Sequence, residues 1–354
     1  MGQRSSGRPA GSACTPCSAA RARALASSCM RAWRGPLRRF SPDGRRVLTT
    51  TYPLAAGAGP GRAKVWSATS GQCLLTFSHD DWIGCAVFSA DGQAVLTQSS
   101  GTVKVWSATS GECMQTLRGH QNSFEFAIFS PNGQWVLTSL DDHTAKVWSV
   151  TSGECLQTLR GHEELIYSAV FSPNGQRVLT TAFDNAVKAW SATSGECLRT
   201  FVSQQEIMVD VLVSSSDGQW VLTASADQTA KVWSAFSGEC LRTLEGYQGE
   251  LVDAVFSPDG KQILTVSLDG TSNVWSRRKT RKRRKTAASR EGPCALEGHK
   301  DRAVSAVFSP DGQHVVTFSP LISDNDSVAK VWSADSGECL HTLEGAGRFA
   351  CFAP

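Results

Sequence analysis

An all-β fold of seven four-stranded antiparallel blades, arranged as a seven-bladed β-propeller, is what this sequence predicts. Three observations predict it. Tryptophans recur at 66, 106, 148, 190, 233, 275 and 332, with spacings of 40, 42, 42, 43, 42 and 57. Nearly the same phrase surrounds each of them and is clearest from Phe171 to Phe201. Within the phrase, short β-branched runs alternate with turn signals and no helical period appears. Self-similarity at a fixed period marks an array of equivalent units that bury their apolar faces against one another.

Each element of the unit has its own reason. Pro-Asp/Asn-Gly at 42–44, 131–133, 173–175, 258–260 and 310–312 is a turn. Pro presets φ, Asn or Asp bonds its own backbone, and Gly accepts positive φ. Val-Leu-Thr after it is a β-branched strand. Ala-Lys-Val-Trp is the next strand, with Lys and Trp on one face and Val on the other. Thr-Ser-Gly-Glu makes a second hairpin turn, and Cys-Leu-x-Thr-Leu a further strand. Closing seven such units into a ring removes exposed sheet edges. The ring's closure has three readings. Pro36–Phe40 supplies the first inner strand, although with paired Arg where Ala-Val is usual. Alternatively Phe349–Pro354, in phase with Ser168–Pro173, supplies it. Or the sequence is cut from a longer array.

Charge divides the chain. Residues 1–39 carry eight Arg and no acid, and Arg277–Lys285 carries eight Lys/Arg in nine positions. The remainder holds 19 basic against 32 acidic residues, a body near −13. Such a body repels phosphate backbones, so a nucleic-acid contact would have to come from the two basic segments. The expected organisation is a disordered basic tail at 1–34, a propeller at 35–354, and a disordered basic insertion at 277–293. The tail also fits an organellar transit composition and the loose myristoylation pattern Met1–Ser6. No run approaches the ~20 apolar residues that span a bilayer.

Seven of the twelve cysteines (73, 113, 155, 197, 240, 294, 339) recur once per unit. Equivalent places in different units lie far apart, so these cysteines are expected as small buried hydrophobes in a reducing compartment, not as disulfides. Cys14-Thr-Pro-Cys17 has no second pair, and no zinc site is expected.

With these motifs in place, the sequence resembles the WD40 repeat family over about residues 35–345. Gly-His stands at 119–120, 161–162 and 298–299, and an Asp six residues before Trp at 142, 184, 227, 269 and 326. The resemblance implies a hydrogen-bonded set of His, Asp, Trp and a strand hydroxyl inside each blade. The implied sets are His120, Asp142 and Trp148; His162, Asp184 and Trp190; and His299, Asp326 and Trp332. Asp227 with Trp233 and Asp269 with Trp275 are partial sets, since unit 5 lacks Gly-His and Gly246-Tyr247 replaces it in unit 6. Units 1 and 2 have Pro60 and Ser100 in place of the Asp. The uniform repeats are also similar to incompatibility-type and signalling arrays of this family.

No HExxH, GxSxG, Walker or dinucleotide-binding motif is present, so no catalytic site and no cofactor are expected. The resemblance implies a scaffold that docks protein partners, a monomeric ring within a larger complex. Loops leading into the inner strands diverge most, which places a candidate partner face at Trp82, Phe124, Glu163, Glu164, Tyr247 and Arg302. An acidic field with aromatic anchors suits a basic peptide. The alternative is a nuclear or nucleic-acid platform acting through Arg277, Arg278, Lys279, Arg281, Lys282, Arg283, Arg284 and Lys285. A cytoplasmic location is expected, with nuclear entry through this loop, and an organellar or lipid-anchored tail is left open.

Overall fold

The computed structural model describes residues 40–50, 61–81, 83–99, 101–118, 124–140, 142–202, 209–277, 293–296, 305–319 and 328–344. Within them the chain forms antiparallel strands and no helix, in six four-stranded sheets and one of three strands. The sheets follow one another in sequence order as blades 1 to 7. Blade 4 shows the pattern, with strands Ile166–Phe171, Arg177–Ala182, Ala186–Ser191 and Cys197–Val202. The first strand of a blade is largely buried toward the centre, and the fourth is exposed at the rim. Blade 1 has Arg46–Thr50, Arg62–Ser67 and Cys73–Ser78, with Phe40 bridging Val47 where other blades have a whole first strand.

Side-chain chemistry sets the turns. Ser172 Oγ donates to Asn174 Oδ1 at 2.7 Å, Gln176 N donates to the same oxygen at 3.1 Å, and Arg177 N donates to Ser172 Oγ at 2.9 Å. The Ser–Asx pair repeats as Ser41–Asp43, Ser89–Asp91, Ser130–Asn132, Ser215–Asp217, Ser257–Asp259 and Ser309–Asp311. A carboxylate that accepts such bonds is held in its charged form. At Asp259 the Lys261 N–H and the Ser257 hydroxyl bring the carboxyl down to about 2. This turn joins first strand to second, so it sets the register Phe171 opposite Val178.

Apolar cores lie between blades. Leu96, Val103, Val105 and Leu117 of blade 2 pack with Ala127, Val136 and Trp148 of blade 3. The same arrangement recurs at each junction from blades 1 and 2 to blades 6 and 7. Each blade is too thin to bury its faces alone, so neighbours complete one another's cores.

A second contact between blades has no obvious sequence signature. In blades 2 to 5 the third residue of the outer strand reaches the hairpin turn of the following blade. Gln115 Nε2 donates to Thr151 O at 2.7 Å, Gln157 Nε2 to Thr193 O at 2.6 Å, and Arg199 Nε to Phe236 O at 2.9 Å. Arg242 donates in the same way to Ser276 O. Gly153, at φ +73, makes room for one of these contacts: a Cβ there would meet Gln115 Oε1 at 2.5 Å.

The expectation of buried cysteines is corrected. Cys73, Cys113, Cys155, Cys197, Cys240 and Cys339 are exposed. They open the outer strand opposite the blade Trp, where the register shifts and the side chain is left at the rim. Each thiol instead meets the carbonyl two residues on, at 3.3–3.8 Å. Cys294 is not equivalent to the others. It lies opposite Val274, the place of Gln157 opposite Val147, and packs beneath Gly337 of blade 7.

Gln157→Ala should lower stability by ~0.5–1.5 kcal/mol, because Thr193 O loses its partner at a blade junction. Urea unfolding of the variant beside Ser152→Ala, a rim turn hydroxyl, reads the difference.

Candidate functional site

The loops on the Gly-His face are held by the interiors of the blades. In every blade the Trp indole N–H donates to a Thr hydroxyl on the second strand. The pairs are Trp66–Thr49, Trp106–Thr97, Trp148–Thr138, Trp190–Thr180, Trp233–Thr223, Trp275–Thr265 and Trp332–Thr317, at 2.7–2.9 Å. In blades 2, 4 and 6 the hydroxyl also meets a third group from the loop above.

In blade 4 that group is His162. Its Nε2 lies 2.7 Å from Thr180 Oγ1 and its Nδ1 2.7 Å from Asp184 Oδ2. Burial opposes the charge of Asp184, but the His162 bond and the Ala186 and Glu163 N–H groups outweigh it and hold the carboxyl below its ordinary range. The Glu163 bond, 3.1 Å, ties the diverging loop directly to the blade interior.

Blade 2 builds the same set without an acid. His79 Nε2 lies 2.7 Å from Thr97 Oγ1, and Nδ1 meets Thr102 Oγ1 at 3.2 Å. Sequence reasoning missed Thr102; the signal was a hydroxyl two residues beyond the vacant Asp place. With no carboxylate as partner, burial and the Lys104 ammonium push His79 down to about 4.

Blade 6 corrects the partner face. Tyr247 was placed there as an aromatic anchor, but it is buried and its hydroxyl meets Thr265 Oγ1 at 2.5 Å. It does the work of the missing His, and burial raises its phenol pKa. The signal was its position, directly after Gly246 where other units have His. Asp269 of this blade accepts from Gln248 N at 2.8 Å and from Thr271, so it fixes the loop without a His.

Asp142 and Asp227 make the same local turn. Each accepts from the backbone N–H and hydroxyl two residues on, Thr144 and Thr229. Asp142 is exposed, not buried as the implied network required, because its carboxylate caps its own turn at the surface. His120, His299 and Asp326 lie outside the described residues, as do Trp82, Arg302 and the side chain of Phe124. On the loop of blade 4, Glu163 is exposed and Glu164 half-buried.

The basic run needs one correction. Arg278, Lys279, Arg281, Lys282, Arg283, Arg284 and Lys285 lie outside the described residues. Arg277, at the start of the run, is not part of an extended cationic loop. Its guanidinium stacks over Trp220 of blade 5, 4.9 Å from the ring centroid, and stands 3.7 Å from Asp217. A flat cation on an indole with a carboxylate at its edge is a junction contact. Among the described residues, no group of three or more His, Cys, Asp or Glu could hold a metal ion, and no helix is long and apolar enough to cross a membrane.

Two outcomes test these assignments. Asp184→Ala leaves His162 and the Glu163 N–H without their acceptor and should cost ~1–3 kcal/mol, whereas Asp80→Ala on the exposed loop should cost little; paired thermal melts compare them. His79 binds its proton only at lower pH in the folded chain than in the unfolded one. The unfolded state therefore takes up protons first as pH falls below ~6.5, and stability drops toward pH ~4 by on the order of 2 kcal/mol. Melting curves across that range should show this slope in the wild type and a shallower one in His79→Gln.

Comparison with known proteins agrees with this geometry. The family model described as WD domain, G-beta repeat matches residues 71–107, 111–149, 153–191, 195–234, 238–276 and 293–333. Among solved structures, the chain is similar to the crystal structure of a computationally designed protein, Ika8. The two are 26% identical, with a TM-score of 0.66, covering 86% of this chain and 85% of that one. No curated protein matches the chain.

Proposed function

The chain belongs to the WD-repeat family, and on that premise we propose that it is a non-catalytic scaffold that docks protein partners on the faces of its propeller. One observation carries the reading. The polar groups that recur in the repeats are engaged in holding blades and turns together. Thr180, His162, Asp184 and Trp190 bond one another, and Ser172 and Asn174 bond their own turn. Diversity is left to the loops, where a rigid support presents variable side chains.

The Gly-His face is the docking face in this reading, and a basic peptide or a basic partner loop its ligand. Asp80 and Asp81 before blade 2, Glu163 before blade 4 and Glu250 before blade 6 are exposed there. Asp184 anchors the backbone of Glu163, so this acid is presented from a fixed loop. A fixed field of one sign raises encounter rates with the opposite sign and rejects like charge. Trp82, Phe124 and Arg302 remain proposed contacts of the same face. The chemistry asked of the site is binding alone, and no cofactor enters it.

Glu163→Lys with Glu164→Lys should weaken binding of an Arg/Lys-rich peptide by about tenfold at low salt, with a smaller loss as salt screens the field. Glu196→Lys with Glu239→Lys, in the turns of the opposite face, should leave it unchanged. Isothermal titration of the folded variants separates the two faces. Weakening by the second pair alone would move the docking surface to that face.

A further inference from the structure

In so uniform a set of repeats, a departure at an exposed position is informative. The second residue of the turn after each Trp-Ser-Ala/Val is Thr69, Thr109, Thr151 and Thr193 in blades 1 to 4 (Ala or Val being the first) and Asp335 in blade 7. In blade 5 it is Phe236. At 59% exposure this is the most exposed large apolar side chain among the described residues. Its turn joins Ala230–Ser234 to Cys240–Leu244 on the face opposite the Gly-His loops. The apolar core between blades 4 and 5 reaches Ala235 and does not include the ring.

Two guanidiniums of blade 4 flank Phe236. Arg177 places its Cζ 4.6 Å from the ring centroid and donates from Nη1 to Ala235 O at 3.0 Å. Arg199, which is exposed, donates from Nε to Phe236 O at 2.9 Å and from Nη1 to Leu198 O at 2.6 Å. Carbonyls therefore fix both side chains, and among the described residues neither is in an ion pair. The acids of the adjoining turns, Glu196 and Glu239, accept from Ser194 and Ser237 of their own turns at 3.2 Å. The first turn of blade 4 carries the neutral Asn174 where blades 1, 2, 5, 6 and 7 carry Asp.

The equivalent place in blade 1 shows a closed version. Arg46 commits both terminal nitrogens, Nη1 to Ala108 O at 2.9 Å and Nη2 to Gly92 O at 2.8 Å, and lies over the buried Phe88. That Arg is a latch between blades. Among the described residues, Arg177 makes only the first of these two bonds, and its ring faces solvent.

We propose that Phe236, Arg177 and Arg199 form a second docking site, whose ligand is an acidic peptide segment of a partner protein carrying an aromatic or aliphatic side chain. The ligand follows from the chemistry of the patch. A guanidinium offers a planar pair of N–H groups to a carboxylate, and the exposed ring beside it takes an apolar side chain. Side chains already fixed by carbonyls lose little freedom on binding. A nucleic-acid strand suits the place less well. Its phosphates repeat at every step and run past Glu196 and Glu239 on an acidic body, whereas a peptide brings its carboxylates only where the cations stand. The site is separate from the Gly-His face and does not rest on the basic-peptide reading of that face.

Two substitutions test the site at little cost to the fold, because each installs the residue of another blade. Phe236→Thr restores the turn of blades 1 to 4, and Arg199→Gln restores the junction bond made by Gln115 and Gln157. The probe is a short fluorescent peptide of Glu and Ser around one central Phe, titrated by anisotropy against the intact chain at low salt. The wild type should bind it, and each substitution should weaken binding about tenfold. Exchanging the probe's Glu for Gln, or its Phe for Ala, should have a similar effect, and added salt should weaken the wild type. Glu163→Lys with Glu164→Lys should not weaken it, which keeps this outcome apart from that of the Gly-His face. No binding to the wild type, or binding indifferent to Phe236→Thr and Arg199→Gln, would overturn the proposal. So would tighter binding of a single-stranded oligo-dT that both substitutions abolish, which assigns the patch to nucleic acid. A dimer lost in Phe236→Thr, with no peptide bound, would assign it to a second copy.

Discussion

The indole-to-hydroxyl bond at the centre of each blade is the interaction on which the rest depends. It joins the second and third strands through side chains at 2.7–2.9 Å, in all seven blades. In blades 2 to 7, where the pair is removed from water, donor and acceptor are worth more together than either is alone, and an orphaned member would be costly. The bond also orients the hydroxyl toward the loop above. Whatever residue completes the set, His79, His162 or Tyr247, then determines how firmly that loop is held. Stability and presentation of the docking face are therefore one property.

The blades tolerate variation in the third group because the position asks for a buried polar atom near the Thr oxygen, not for one residue type. His162 with Asp184 is a version whose second partner is a carboxylate, held below its ordinary range. His79 with Thr102 is a neutral version that acid weakens. Tyr247 dispenses with the imidazole altogether. Between blades the same economy holds. Gln115, Gln157, Arg199 and Arg242 are different side chains that all deliver an N–H to a carbonyl on the next turn. Long polar side chains at a half-exposed junction make such contacts at small desolvation cost.

Much of the fold and part of the site were legible before any coordinates. The Trp spacing, the turn phrases and the β-branched runs identify the blades, because each reports a local requirement of backbone or pleat. The Ser–Asx turns follow for the same reason. Misreadings arose where a residue's meaning depended on a neighbour outside its own phrase. Tyr247 looked like a loop aromatic because the hydroxyl it serves, Thr265, is 18 residues away. Arg277 looked like the first of a solvated run because Trp220 and Asp217 belong to another blade. The cysteines looked like small core residues because the register shift that leaves them at the rim is a property of the paired strands.

The sequence by itself determined the number of repeats, the strand order within each and the Trp as anchor. These are written in period, turn chemistry and side-chain alternation, all of which act over a few residues. Only the tertiary structure decided which polar atoms meet and which side chains latch one blade to the next. Those outcomes depend on distances between segments tens of residues apart. They are set by how twisted sheets pack face to face, where the same side chain is core in one register and surface in another.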